Sequence, residues 1–341
     1  MALFAAGGPA PTQHSTARKI AVTVGGLLVL MVILLSAFAL PGVNTAVKDL
    51  PIAVSGDGLA PTQVTATLAK ADAGAFDVSM VASEQAAQQE ILNRDVYGAL
   101  IVDTDGLTLD TASAASATVA TALVPLAQQL GSTLNLPVTV HDIRPLTSDD
   151  PKGMGLTAGA LPIALGGWLA AMGIIALIVG AWHRLIAAAV FSIGGGFALT
   201  GALFAIGTFD TNYWATSAAA MLGIAGTCYF VLGFERLLRG RGIGIAAVVL
   251  ILLGNPLSGL ASAPEMLPHP WGALGQLLPP GATGTLLRNV SFFDGAAITQ
   301  PIVVLVAWAI LGLTAYAVAG RRHQPRHAFD IHMDAATAAT G

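Results

Sequence analysis

GNPLSGLASAPEMLPHPWGALGQLLPPGATGTLLRN, residues Gly254 to Asn289, is the stretch on which the reading of this chain turns. It follows the apolar run Gly242–Leu253, which is too short to cross a bilayer, since a spanning helix needs about 20 residues at 1.5 Å each. Asn255-Pro256 then interrupts the run. Proline lacks an N–H and pushes the residue before it out of the α region, so a helix must kink or stop here. A second apolar piece, Trp271–Leu278, is again too short. Pro279-Pro280-Gly281 ends it, and Ala282–Val290 reads as another short helix. Apolar backbone broken in this way is tolerated at membrane depth only where protein or a water-filled cavity covers it. The stretch is therefore a candidate gate or pathway element, with Asn255, Pro256, Gln276, Pro279, Pro280, Gly281 and Arg288 as its candidate residues. The alternative is a folded external loop with interfacial helices.

Outward from this stretch the composition is that of an integral membrane protein. Apolar residues make up 55%, charged residues 10%, and the mean hydropathy is +0.73. Long uncharged runs of this kind read as spanning helices. Six segments qualify: Ile20–Leu40, Thr157–Trp182, Leu185–Thr208, Tyr213–Phe234, Gly242 to about Ala263, and Ala297–Gly320. The fifth is the broken one, because it would have to pass through Pro256.

Residues 42–156 differ from the rest. They hold thirteen of the nineteen acids and only five basic residues. Short runs rich in β-branched and apolar residues alternate with helical stretches, bounded by turn residues. Strands are predicted at Leu50–Val54, Phe76–Val81, Tyr97–Val102, Leu107–Asp110 and Leu136–Val140. Helices are predicted at Pro61–Ala73, Ser83–Asn93 and Ala115–Gln129. That alternation predicts a small α/β domain.

The expected fold is thus an α-helical polytopic membrane protein with six spans, the fifth broken, and an external α/β domain inserted between spans 1 and 2. Residues 1–19 read as a disordered cytoplasmic N-terminus, 20–41 as the first span and 42–156 as the α/β domain. Spans 2 to 6 occupy 157–320, with the re-entrant or interfacial stretch 254–289 inside them, and 321–341 is a cytoplasmic tail. Nine of the ten basic residues outside the α/β domain fall in segments that alternate to one side, and only Arg288 falls opposite. By the positive-inside rule both termini are cytoplasmic. The α/β domain and the broken stretch then share the external face.

The chemistry-bearing motifs are few. The span interiors carry no Asp, Glu, Lys, Arg or His, which argues against coupling through mid-membrane charges. No phosphate-cradling G-x-x-x-x-G-K-[ST] is present, so any ATP drive must come from another polypeptide. No nucleophile–base signature appears, and the chain is not expected to be an enzyme or to hold a cofactor or metal. The acidic balance of the α/β domain excludes nucleic acid as a partner. Asp149-Asp150-Pro151-Lys152-Gly153 joins the α/β domain to the second span and reads as a solvated hinge, with Asp149, Asp150, Pro151 and Gly153 setting its angle. Arg184, Glu235, Arg236 and Arg239 are the candidate contacts for a cytoplasmic partner. The histidines of the tail, His323, His327 and His332, read as solvated, because Pro325 breaks the helix a metal pair would need.

The layout, together with LPIAVSG (Leu50–Gly56), RPLTSDDPKG (Arg144–Gly153), NPLSG (Asn255–Gly259), QLLPPG (Gln276–Gly281) and LLRN (Leu286–Asn289), resembles the ABC-2-type transporter permeases. Within them it is similar to the branch of phage-infection-protein-like bacterial membrane proteins. The resemblance covers most of residues 18–322. It implies a permease subunit that works as a homodimer among the lipids of a bacterial plasma membrane and exports a lipid, polymer or drug-like substrate, with ATP hydrolysed by a separate subunit. The competing expectation is a non-transporting surface protein whose external domain binds an envelope component or a phage.

Overall fold

The computed structural model describes residues 13–43, 47–58, 60–71 and 74–322. The chain divides into two units, Met1–Asn44 and Thr45–Gly341.

The first unit is one helix, α1 (Gln13–Val43). It starts before the predicted span, so residues 13–17, expected to be disordered, are helical. The reason is cooperativity: once the apolar run has nucleated a helix, adding residues that are neither Gly nor Pro costs little. Side chains from Ala17 to Val32 are exposed around the whole helix, large apolar ones included. Apolar side chains exposed around a helix suit lipid as their solvent.

The second unit begins with a five-stranded sheet in the order β2-β1-β3-β4-β5, formed by β1 (Leu50–Gly56), β2 (Phe76–Met80), β3 (Gly98–Val102), β4 (Leu107–Thr111) and β5 (Val138–Asp142). All pairs are parallel except β3–β4, the hairpin that turns through Asp103–Gly106. Every residue of β3 is buried. A strand that is apolar on both faces is what a sheet covered on both sides requires. The crossovers are α2 (Ala60–Ala71), α3 (Glu84–Asn93) and α4 (Ala117–Leu134). Ser83 and Ser116 cap α3 and α4, each hydroxyl accepting the backbone N–H three residues on. Each predicted strand and helix of this region has a counterpart with shifted ends; Asp72 and Ala73, the end of the predicted helix Pro61–Ala73, lie outside the described residues.

Helices follow: α5 (Met154–Leu177), α6 (Ala181–Ala205), α7 (Tyr213–Leu238), α8 (Gly242–Ala247, continued as a wider π-turn to Gly254), α9 (Trp271–Gln276), α10 (Pro279–Phe292) and α11 (Thr299–Arg322). Among the described residues three helices, α6, α7 and α11, are long and apolar enough to cross a membrane. They mark this as a membrane protein. The apolar stretches Leu165–Leu177 and Gly242–Gly254 are shorter. In its most apolar window α7 is 67% buried, against 22% for α6 and 28% for α11. So α7 is the central post, and the outer two turn apolar side chains outward. At the α7–α11 crossing Gly233 faces the Gly312 backbone, and Gly312 faces that of Tyr229 and Phe230, so closely that neither has room for a methyl. Small residues allow that approach.

Two predicted boundaries move. The second span was expected to run to Trp182. The helix instead ends at Leu177, and Trp182 to Arg184 form the first turn of α6. Gly180, at φ 97°, makes the reversal that a side chain would hinder. Arg184 then reaches back, donating from Nε to the Ile178 carbonyl (2.8 Å) and from Nη2 to that of Ile175 (2.9 Å), and so satisfies the end of α5. Pro279-Pro280-Gly281, expected to separate two helices, opens α10. The first helical positions need no N–H donor and favour proline's fixed φ, so the pair starts the helix it was expected to precede.

Candidate functional site

The break at Asn255-Pro256 is real. Pro256–Ser258 is a single 3-10 turn closed by Gly259 in the left-handed region, and Pro264–Met266 is another. The Asn255 carbonyl accepts from both the backbone N–H and the hydroxyl of Ser258. The stretch does not hang free. Twelve of the fourteen residues of α10 are buried, packed among α5, α7 and α11. Gln276 ties the pieces together, donating to the Ser258 carbonyl (2.8 Å) and accepting from the Thr285 hydroxyl (2.6 Å). Gly281 lies against the Gly275 carbonyl, and the Pro280 ring lies against Gly254.

The α/β unit docks directly on this stretch. Ala263, Met266 and Phe293 belong to the same apolar core as β1, β3 and β4. Polar contacts surround that shared core. Ser116, the α4 cap, donates its hydroxyl to the Ser262 carbonyl (2.5 Å), and Thr118 donates to that of Ala261 (3.1 Å). Tyr97 donates to Glu265 Oε2 (2.7 Å). Arg94 Nε donates to Asn289 Oδ1 (3.2 Å), and Asn289 passes the link on to the Ala297 carbonyl. Arg144 pairs with Asp294 at 3.0 Å, but both side chains are well exposed, so that pair adds little.

A cavity of about 550 Å³ opens at this junction. Its polar lining includes Arg94, Tyr97, Glu265, Gln276, Arg288 and Asn289. That volume suits a small-molecule or headgroup site, typically ~300–1,000 Å³. Arg94 stacks its guanidinium over Tyr97 (5.2 Å) and Phe293 (4.9 Å). Arg288 is 7% exposed. Its Nη2 donates to the Leu260 carbonyl (3.2 Å), and its Nε has no hydrogen-bond partner. Its guanidinium remains a cation at neutral pH. Burial and the Glu265 carboxylate push the Tyr97 hydroxyl well above the ordinary tyrosine range.

Of the gate candidates, Gln276 and Arg288 line this cavity; Pro279, Pro280 and Gly281 are buried in the first turn of α10, and Asn255 and Pro256 form the break. The hinge candidates are structural. Asp150 accepts the N–H groups of Met154 (2.8 Å) and Gly155 (2.7 Å), capping α5, and Gly153 takes the left-handed conformation just before it. Asp149 lies beside Gly207, and Pro151 sits in the turn between cap and helix. The cytoplasmic candidates Arg184, Glu235, Arg236 and Arg239 come together around a second cavity of about 430 Å³. There Glu235 accepts the Gly240 and Ile243 N–H groups, and Arg236 lies 4.2 Å from the Tyr316 ring centroid. The histidines of the tail lie outside the described residues. Among the described residues no group of three His, Cys, Asp or Glu could hold a metal.

Sequence reading missed Arg94, Tyr97 and Glu265. The available signal was that Glu265 and Arg288 are the one acid and the one Lys or Arg of the broken stretch. No family model, curated protein or solved structure matches the chain. The chemistry of the site therefore rests on its own geometry.

Proposed function

We propose that the chain is a permease subunit of an ABC-2-type exporter, working as a homodimer in a bacterial plasma membrane to move an amphiphile (a lipid, polymer or drug-like molecule) outward. In this reading α1 is the first of six spans, Gly242 to about Ala263 is the broken fifth, 254–289 is a re-entrant or interfacial external stretch, and both termini are cytoplasmic. ATP is hydrolysed by a separate subunit bound near Arg184 and Glu235–Arg239. The observation that carries the reading is the packing of the α/β unit on the broken stretch, with a polar-lined cavity left between them. Such a joint can open only if docking contacts part, which is what an exit gate requires.

Affinity isolation of the chain from native membranes in mild detergent tests this. A stoichiometric ATPase subunit is the expected companion. Recovery of the chain alone, at dimer mass, would remove the motor and leave the α/β unit as a binding module for an envelope component or phage.

A further inference from the structure

We infer that the cavity between the α/β unit and the broken stretch is a binding site for a phosphate ester, held by Arg288 and Arg94. Burying a guanidinium is costly unless its donors and its charge are satisfied. Arg288 is buried, yet of its donors Nη2 meets one carbonyl and Nε meets nothing. The ion pairs His141–Asp110 and Arg144–Asp294 involve neither Arg288 nor Arg94. The Glu265 carboxylate already accepts the Tyr97 hydroxyl. Lys48, Arg94 and Arg288 thus line one cavity with Asp49, Asp95 and Glu265, and none of the three carboxylates comes within ion-pair distance of either arginine.

An oxyanion supplies what is missing. The guanidinium fork matches phosphate oxygens and leaves fewer donors idle. Two arginines favour a phosphate monoester, which carries up to two negative charges, over a singly charged carboxylate. The same cavity has apolar walls in Leu267, Leu277, Pro270 and Pro301. The phosphate can therefore arrive on a small soluble ester or as the headgroup of a lipid, and the shared chemistry is the phosphate itself. Binding at this site does not depend on transport, so it is tested apart from the export reading.

The experiment is calorimetric titration of the full chain, purified in uncharged detergent, with glycerol 3-phosphate, dioctanoyl phosphatidic acid and, as the neutral control, dioctanoylglycerol. Saturable binding of a phosphate probe and silence of the neutral control are expected. Arg288→Gln and Arg94→Gln should each weaken binding by about tenfold or more, as expected for loss of a charge-assisted contact. Glu265→Gln should strengthen binding by removing a repelling charge, which a merely structural role for these residues would not produce. Tighter binding of phosphatidic acid than of glycerol 3-phosphate identifies a lipid headgroup, and the reverse order identifies a soluble ester. If Arg288→Gln does not fold, Arg94→Gln carries the test, because Arg94 is only half-buried. Absence of saturable binding to the folded parent chain, or unchanged affinity in the folded arginine variants, overturns the proposal.

Discussion

Tyr97 joins the two halves of the second unit through a single proton. Its hydroxyl donates to Glu265, and burial beside that carboxylate makes the tyrosinate form costly. The folded chain therefore keeps this proton to higher pH than the unfolded chain does. The stabilisation is complete below the ordinary tyrosine value of about 10 and is lost as pH rises above it. Tyr97→Phe should cost about 1 kcal/mol at neutral pH, the worth of one hydrogen bond, and should remove part of the alkaline loss. Denaturation midpoints of both chains on either side of pH ~10 check this. An identical alkaline decline in the variant would show that Tyr97 does not contribute.

At the scale of elements, α9 and α10 meet in close contact within the broken stretch. The Gly281 backbone lies against the Gly275 carbonyl, and Pro280 fills the space over Gly254. Pro279 and Pro280 start α10, so alanine at both positions leaves the helix intact while removing two buried rings. The double variant Pro279→Ala, Pro280→Ala should therefore insert and dimerise as the parent does, while export falls severalfold. Dimer mass in detergent and efflux of a fluorescent drug-like dye from cells measure the two properties. Unchanged efflux would take this junction out of the mechanism.

For the whole molecule, orientation is the property to test. The proposed orientation puts the α/β unit outside and the loop between α7 and α8 inside. Cys228 is fully buried and so gives no background in the native protein. Gln63 and Arg241 are both exposed. With a membrane-impermeant maleimide, Gln63→Cys should react in intact cells and Arg241→Cys only after lysis. The opposite pattern would invert the topology and remove the exit-gate reading.

What the sequence determined by itself was everything set by local pattern. The alternation of Leu50–Val140 gave the strands and helices of the sheet, because a period of two or of 3.6 records which face each residue turns to the core. The apolar runs of α6, α7 and α11 revealed the membrane, and Pro256 revealed the break. Pro279-Pro280 was legible as punctuation but not as a start or a stop, since proline suits both. Only the tertiary structure decided what the broken stretch packs against. Tyr97 meets Glu265 and Arg94 meets Asn289 across 168 and 195 positions of chain. Local pattern carries no record of a partner so distant. The folded chain brings them together because Ala263, Met266 and Phe293 complete the apolar core of the α/β unit. Arg288 is left buried at that seam with an unpartnered nitrogen.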